Sequence, residues 1–232
     1  MIRNKSRAGW FGASDTDKIM GNWETDTFRH WWLVKLGLSE STVETKYMRA
    51  GTAYEHKILD EIEESTPVRG IIDEYVGVIE KDRQIKRRRL RLRVNLDGED
   101  DRCIYEVKTH KKAPFKVSRA YWMQAQVEMF VTGKRLKIVA YHMDDENYIN
   151  YFLPIEKGRL TVHPILFDWR FIELDYLPRL KYLAHCLKKG EMPNARDFAQ
   201  FTDRLEKSKA NRFLRAVRRF FRRVRQSDGE DA

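Results

Sequence analysis

The run Arg89-Leu90-Arg91-Leu92-Arg93-Val94-Asn95-Leu96-Asp97 alternates polar and apolar side chains without a break. Successive side chains of a β-strand point to opposite faces, so the pattern predicts a strand with every even position in a core and Asp97 on the polar face. Asp97-Gly98 then opens a turn through Glu99, Asp100, Asp101 and Arg102. A neighbouring strand follows, Cys103-Ile104-Tyr105-Glu106-Val107-Lys108-Thr109, in which Glu106 and Lys108 share a face. Two carboxylates beside a lysine can hold a hard divalent cation through oxygen and set an ammonium next to it. Such a cation lowers the pKa of a bound water and clamps a phosphoryl oxygen, while the ammonium offsets developing negative charge. The residue types point to phosphodiester hydrolysis. The same pattern also decorates an edge hairpin with opposite charges on a wet face, so the rest of the chain decides.

At 232 residues the chain can bury one sizeable core, which predicts a single domain with appendages. Six Trp, ten Tyr and twelve Phe argue against disorder over most of its length. The formal charge of +10, from 45 Lys/Arg against 35 Asp/Glu, favours a polyanionic partner, nucleic acid before membrane. Cys103 and Cys186 have no metal-binding spacing, which excludes an iron–sulfur cluster and suits buried thiols in a reducing cytoplasm. The start Met1-Ile2-Arg3-Asn4-Lys5-Ser6-Arg7 has no apolar leader region, and no stretch is long enough to span a bilayer. The expected protein is soluble and intracellular.

Ser14 reads as the N-cap of a short helix with Asp15 and Asp17 in its first turn and Gly21 at its end. A second helix is expected over Glu24 to Leu36, closed by Gly37, and a third over Glu44 to Glu64 with a stripe of Met48, Ile58, Leu59 and Ile62. Glu55 falls inside that stripe. A carboxylate on a buried face needs a partner, either a core arginine or a metal ion shared with the sheet. Glu74 to Glu80 predicts a first strand. The basic run from Lys81 to Arg93, eight Lys/Arg against Asp82, is solvated surface or a track for a phosphate backbone through Arg87, Arg89, Arg91 and Arg93, with Lys111 and Lys112 beyond. A helix is expected over Val117 to Thr132, ended by Gly133, then strands Leu136–Met143 and Tyr148–Pro154, then a long helix from Val162 to Lys189. Residues 1–195 are read as the main domain and 196–232 as a separate tail. In that tail, Lys209 to Arg225 carries eight Lys/Arg, including Arg218, Arg219 and Arg222, and no acid. Phe213, Leu214, Val217, Phe220, Phe221 and Val224 recur there at helical spacing, predicting a basic amphipathic helix. It could dock on its own domain, on another subunit, on DNA or on an acidic membrane, with DNA or a subunit favoured; Ser227 to Ala232 are expected to be disordered.

The order of helix-borne Glu55, then Asp97, then Glu106-x-Lys108, then a helix, resembles the PD-(D/E)XK nuclease superfamily. More narrowly, the chain resembles the lambda-exonuclease and YqaJ-like viral recombinase family of alkaline exonucleases. Arg7-Ala8-Gly9-Trp10-Phe11-Gly12-Ala13-Ser14 is similar to the family's R-x-G-x-x-x-A-S signature, and Gly51-Thr52-Ala53-Tyr54-Glu55 to its G-x-x-x-E helix. Asp97-Gly98 with Glu106-Val107-Lys108 is similar to its D-G…E-x-K core, and Tyr121-Trp122-Met123-Gln124-Ala125-Gln126 to its Y-x-x-Q-x-Q helix. Thr109-His110 departs from the Cys-Pro that follows the lysine in lambda exonuclease.

The resemblance implies an α/β fold with a mixed central sheet flanked by helices. It implies one or two Mg²⁺ or Mn²⁺ ions on Glu55, Asp97, Glu106 and the Val107 carbonyl, with Lys108 at the attacking water. It implies that Gln124 orients water and lysine rather than serving as a plain core glutamine, and that Arg7 and Ser14 read a terminal 5′-phosphate. Gln126 and the histidines, His110 and His142 among them, are assigned no role. The implied activity is processive 5′-to-3′ resection of double-stranded DNA ends, with a single-strand annealing protein as partner and a trimeric ring as the assembly. The rivals are a structure-specific or RecB-like endonuclease on the same fold, and a catalytically silent DNA-binding protein.

Overall fold

A computed structural model describes residues 7–40, 45–64 and 76–207. In chain order these form helices α1 (Thr16–Met20), α2 (Asp26–Leu36) and α3 (Lys46–Glu64), then strands β1 (Glu80–Lys81), β2 (Gln84–Arg87), β3 (Leu92–Asn95), β4 (Gly98–Glu99) and β5 (Cys103–His110). Helix α4 (Arg119–Thr132), strands β6 (Arg135–His142) and β7 (Leu160–Ile165), and helix α5 (Leu177–Lys189) complete the central unit. A last helix, α6, covers 195–207.

The main sheet runs in the order β1-β4-β5-β6-β7, and β2 with β3 makes a separate two-stranded ribbon. Only the β5–β6 pair of the main sheet is parallel, as its connection through α4 requires, since parallel neighbours need a crossover. Cys103 to Val107 of β5 are buried throughout, because both faces of this central strand are covered. Cys103, Tyr105 and Val107 pack with Ala50, Tyr54, Ile58 and Leu59 of α3. Ile104 packs on the opposite face with Ala125 and Val127 of α4 and with Phe11, Phe28 and Trp32. By the strand's period of two, Glu106 and Lys108 follow Ile104 onto the α4 side.

The alternation over Arg89–Asp97 yields a shorter strand than expected. Leu92, Val94 and Leu96 are fully buried, but Arg88–Leu90 is a 3₁₀ turn and Arg91 adopts a left-handed conformation at φ 51°. Moreover, β3 pairs with β2 rather than with β5; the antiparallel neighbour of β5 is the two-residue β4. Gly98 and Glu99 are therefore strand, and the turn is confined to 100–102. The first strand is likewise reduced to β1, and its expected start at Glu74 lies outside the described residues.

Tyr148–Pro154 is not a strand, and Val162 to Lys189 is not one helix. The edge strand is β7, where Pro164 is tolerated because an edge N–H is not needed for the sheet. A π-helical turn at Phe171–Tyr176 then leads into α5. Met48 is about half exposed rather than part of the buried stripe of α3. Ser14 does not cap α1: it lies exposed within a 3₁₀ turn, Ala13–Asp15, and Asp15 precedes the helix. Gly37, Gly133 and Gly190 end α2, α4 and α5 in the left-handed conformation, where expected. Both cysteines are free and buried. Helix α6 joins the core through Phe198 and Phe201, which pack on Tyr182. The stretch from Lys209 to Arg225 lies outside the described residues.

Candidate active site

Strand β4 is too short to pair with the whole of β5; its register ends at Gly98 opposite Tyr105. The next N–H on that edge, that of Val107, donates instead to Oδ2 of Asp97 at 2.8 Å. One hydrogen bond thus fixes Asp97 beside the Glu106-Val107-Lys108 segment. Glu106 is 3% exposed, and its Oε1 accepts from the Lys108 Nζ and from the Gln124 Nε2, each at 2.5 Å. Its Oε2 is buried with no hydrogen-bond partner. Lys108 also reaches Oε1 of Gln124 at 3.3 Å and lies 4.8 Å from the ring centre of Tyr121.

Glu55 arrives from the other layer, on α3. Burial, then Glu106, then Asp82 raise its pKa to about 7. Burial, then Glu106 and Glu55, push Asp97 well above the ordinary carboxylate range. Burial alone would lower the Lys108 pKa, but Glu106 and Asp97 outweigh it and hold the ammonium charged. Two carboxyl groups raised by burial and by the neighbouring charge of Glu106, and a buried carboxylate oxygen without a donor, are the signature of a place for a cation. Oxygen donors of this kind suit Mg²⁺ or Mn²⁺.

Two glycines of the sequence signatures let the layers meet. A Cβ on Gly98 would come within 2.7 Å of Ile79 and 2.8 Å of Leu59, and one on Gly51 within 3.3 Å of Thr109 Oγ1. Helix α3 could not lie this close to the sheet with larger residues there. A cleft of about 650 Å³ opens over the site, lined by Arg7, Glu55, Val107, Lys108, Lys111 and Tyr121 among others.

Arg7 comes to this cleft because the N-terminal segment docks on β3: Phe11 N–H donates to Arg91 O at 2.7 Å, and Arg93 N–H to Phe11 O at 2.8 Å. Beneath the segment lies a buried pair, Lys35 with Asp15 at 2.5 Å. Asp15 also accepts from Gly12 N–H at 2.7 Å and from Trp31 Nε1 at 2.9 Å. Burial lowers the Lys35 pKa, and nearby Arg7 and Arg93 lower it further. Ser14 is exposed and does not line the cleft. Among the other basic candidates, Arg87 donates to Val131 O at 2.6 Å, Lys111 pairs with Asp145, and Arg89 and Lys112 are exposed. Arg218, Arg219 and Arg222 lie outside the described residues.

Sequence reasoning missed three groups. Glu128, fully buried on α4, accepts from Gln124 Nε2 at 2.9 Å; its signal was an acid four residues after Gln124 inside an apolar run. His56 and Asp82 join Glu55 in a set whose ligand atoms lie within 4.8 Å of one another. Asp82 is placed there by a left-handed turn at φ 60°, and its N–H donates to Asp97 O at 3.3 Å. Gln126 plays a structural part, bonding Leu166 O and Asp168 N–H. His110 lines the cleft, its ring in tilted contact with those of Phe115 and His142.

A mixed sheet flanked by helices, with acid and lysine on its central strand beside an acid-bearing helix, defines a PD-(D/E)XK-type α/β protein. The model of the YqaJ-like viral recombinase domain matches residues 4–135, and the chain belongs to that family. Among solved structures, LHK-Exo, an alkaline exonuclease from Laribacter hongkongensis, is 18% identical with a TM-score of 0.48, over 88% of this chain and 95% of its own. In complex with dAMP it gives 19% identity and a TM-score of 0.51, over 87% and 95%. At this identity the likeness establishes the fold. No curated protein matches the chain at a significant level.

Proposed function

We propose that this chain is a divalent-cation-dependent exodeoxyribonuclease that resects duplex DNA ends 5′ to 3′, leaving 3′ single strands for phage-type recombination. The observation that carries the reading is the bare buried Oε2 of Glu106 beside Asp97 and Glu55, whose pKa values are raised by burial and by the charge of Glu106. Glu55, Asp97, Glu106 and the Val107 carbonyl would hold Mg²⁺ or Mn²⁺, one ion or two, with His56 and Asp82 extending the donors around Glu55. When bound, the ion supplies Lewis-acid polarisation of the phosphate and a more acidic water.

The remaining work falls to side chains. Lys108 stays charged next to the cleft, where it positions the attacking water and stabilises the negative charge that builds on the phosphoryl oxygens. Gln124 holds Lys108 through its amide oxygen. Arg7 in the cleft, with Arg93 near it, supplies guanidinium forks for a terminal 5′-phosphate; Ser14, on the same docked segment, adds a hydroxyl. Arg87, Arg89, Arg91, Arg93, Lys111 and Lys112 would follow the duplex backbone. The family's single-strand annealing partner, homotrimeric ring and cytoplasmic setting complete the proposal, as does a division into a nuclease domain and a basic tail. Among the described residues no helix is long and apolar enough to cross a membrane.

One assay tests this: linear duplex with a 5′-phosphate or 5′-hydroxyl, and circular plasmid, each with Mg²⁺ or chelator. Loss of the phosphorylated linear duplex from its 5′ ends, with the circle untouched, is the expected result. Cutting of the circle would make the chain an endonuclease, and no cutting at all would leave a DNA-binding protein.

A further inference from the structure

Glu128 sits one turn beyond Gln124 on α4, with none of its surface exposed. Burial, then the charge of Glu106, hold its pKa well above the ordinary value. Its Oε1 accepts from Gln124, while its Oε2 is buried with no hydrogen-bond partner. A leucine would pack in such a place at lower cost, because an unbonded buried carboxyl oxygen is unfavourable. The geometry around Gln124 shows what the carboxyl group does. A primary amide offers two N–H donors and one oxygen. Glu106 takes one N–H at 2.5 Å and Glu128 takes the other at 2.9 Å, leaving the amide oxygen toward Lys108 at 3.3 Å. A flipped amide would turn its NH₂ toward the ammonium and its oxygen toward the Glu106 carboxylate, losing both of those bonds.

We propose that Glu128 is a positioning residue, a buried acceptor that locks the Gln124 amide so that its oxygen faces Lys108. The inference rests on the reading of Lys108 as the group beside the reacting phosphate. It asks for a hydrogen-bond acceptor, not a charge, at residue 128.

Glu128→Leu removes the acceptor, and Glu128→Gln keeps a carbonyl acceptor without the charge; Glu128→Met replaces the leucine variant if that one does not fold. Three readouts apply: kcat and KM on 5′-phosphorylated duplex, the rate at which Lys108 is acetylated in DNA-free protein as read by mass spectrometry, and additivity with Gln124→Ala. Glu128→Leu should lower kcat by about 10- to 100-fold with KM unchanged, and should speed acetylation of Lys108. Glu128→Gln should restore most of both. The double variant should lose no more than Gln124→Ala alone, since residues acting through one another are not additive. Unchanged kcat and labelling in Glu128→Leu, an equal defect in Glu128→Gln, or multiplied losses in the double variant would each overturn the proposal. If the wild-type chain cuts no DNA, the nuclease reading fails, while the labelling rates still decide the role of Glu128.

Discussion

Glu106 offers one oxygen to two donors and leaves the other buried and bare, so it is the residue on which the side chains of the site converge. Its charge raises Glu55 and Asp97. Glu106→Gln should therefore let both fall toward ordinary values, abolish cation binding and slow cleavage by at least about 100-fold. Cation titration by calorimetry checks the loss of binding; binding that survives the substitution would place the cation elsewhere. Lys108→Ala should also weaken the fold. It removes the cation from a carboxylate cluster and should cost about 3 kcal/mol, the scale for breaking a buried ion pair, so the loss of activity would come with a weakened fold. Asp97, Glu106 and Lys108 were legible as a group because residue types and spacing alone mark them. Glu128, His56 and Asp82 were not: only its four-residue spacing from Gln124 marks Glu128, and His56 and Asp82 meet only through the packing of α3 against the β1–β2 turn.

Elements set the separation of these residues, and the decisive contact is that of α3 with the sheet. Gly98→Ala would drive a methyl into Leu59 and Ile79 and push α3, with Glu55, away from Asp97. Overpacking of this kind costs about 1–3 kcal/mol, and the expected result is a less stable protein whose cation affinity falls more than its duplex affinity. Equal loss of both would mean that α3 does not set the cation site. The helices α2, α3 and α4 were readable because Gly37 and Gly133 end two of them and periodicity marks the third. The strands were harder to place. Arg88–Leu90 follows the alternation of β3 yet turns away from it, since Arg91 in the left-handed region ends the pairing. The residues of β7 and α5 share one apolar periodicity, and nothing local separates an edge strand containing Pro164 from a first helical turn.

For the whole molecule, proton and cation binding are linked to folding. Glu55 is raised from 4.5 to about 7, and Asp97 and Glu128 are raised as well, so near neutral pH these carboxyl groups hold more protons in the cation-free folded chain than in the unfolded chain. Stability then falls with rising pH: the contribution of Glu55 is complete below about 4.5 and lost as pH passes through about 7. Mg²⁺ or Mn²⁺ should flatten this slope by holding the carboxylates ionised, as thermal unfolding across the range with and without cation would show; an unaltered slope would place the cation elsewhere. Salt dependence probes the opposite charge, the excess of +10. Eight of the Lys/Arg fall between Lys209 and Arg225 with no acid among them. A basic segment held along the DNA contributes through counterion release, at a slope of about 0.9 in log K per phosphate neutralised and without reading sequence. Truncation after Ser208 should leave hydrolysis at low salt intact, because Glu55, Asp97, Glu106 and Lys108 all lie earlier in the chain. It should flatten the slope of log K against log salt by at least one such contact and shorten the tracts resected as salt rises. If the slope is unchanged while a defined oligomer is lost on sizing, the six apolar residues of the segment serve subunit contact, and its arginines do not touch DNA.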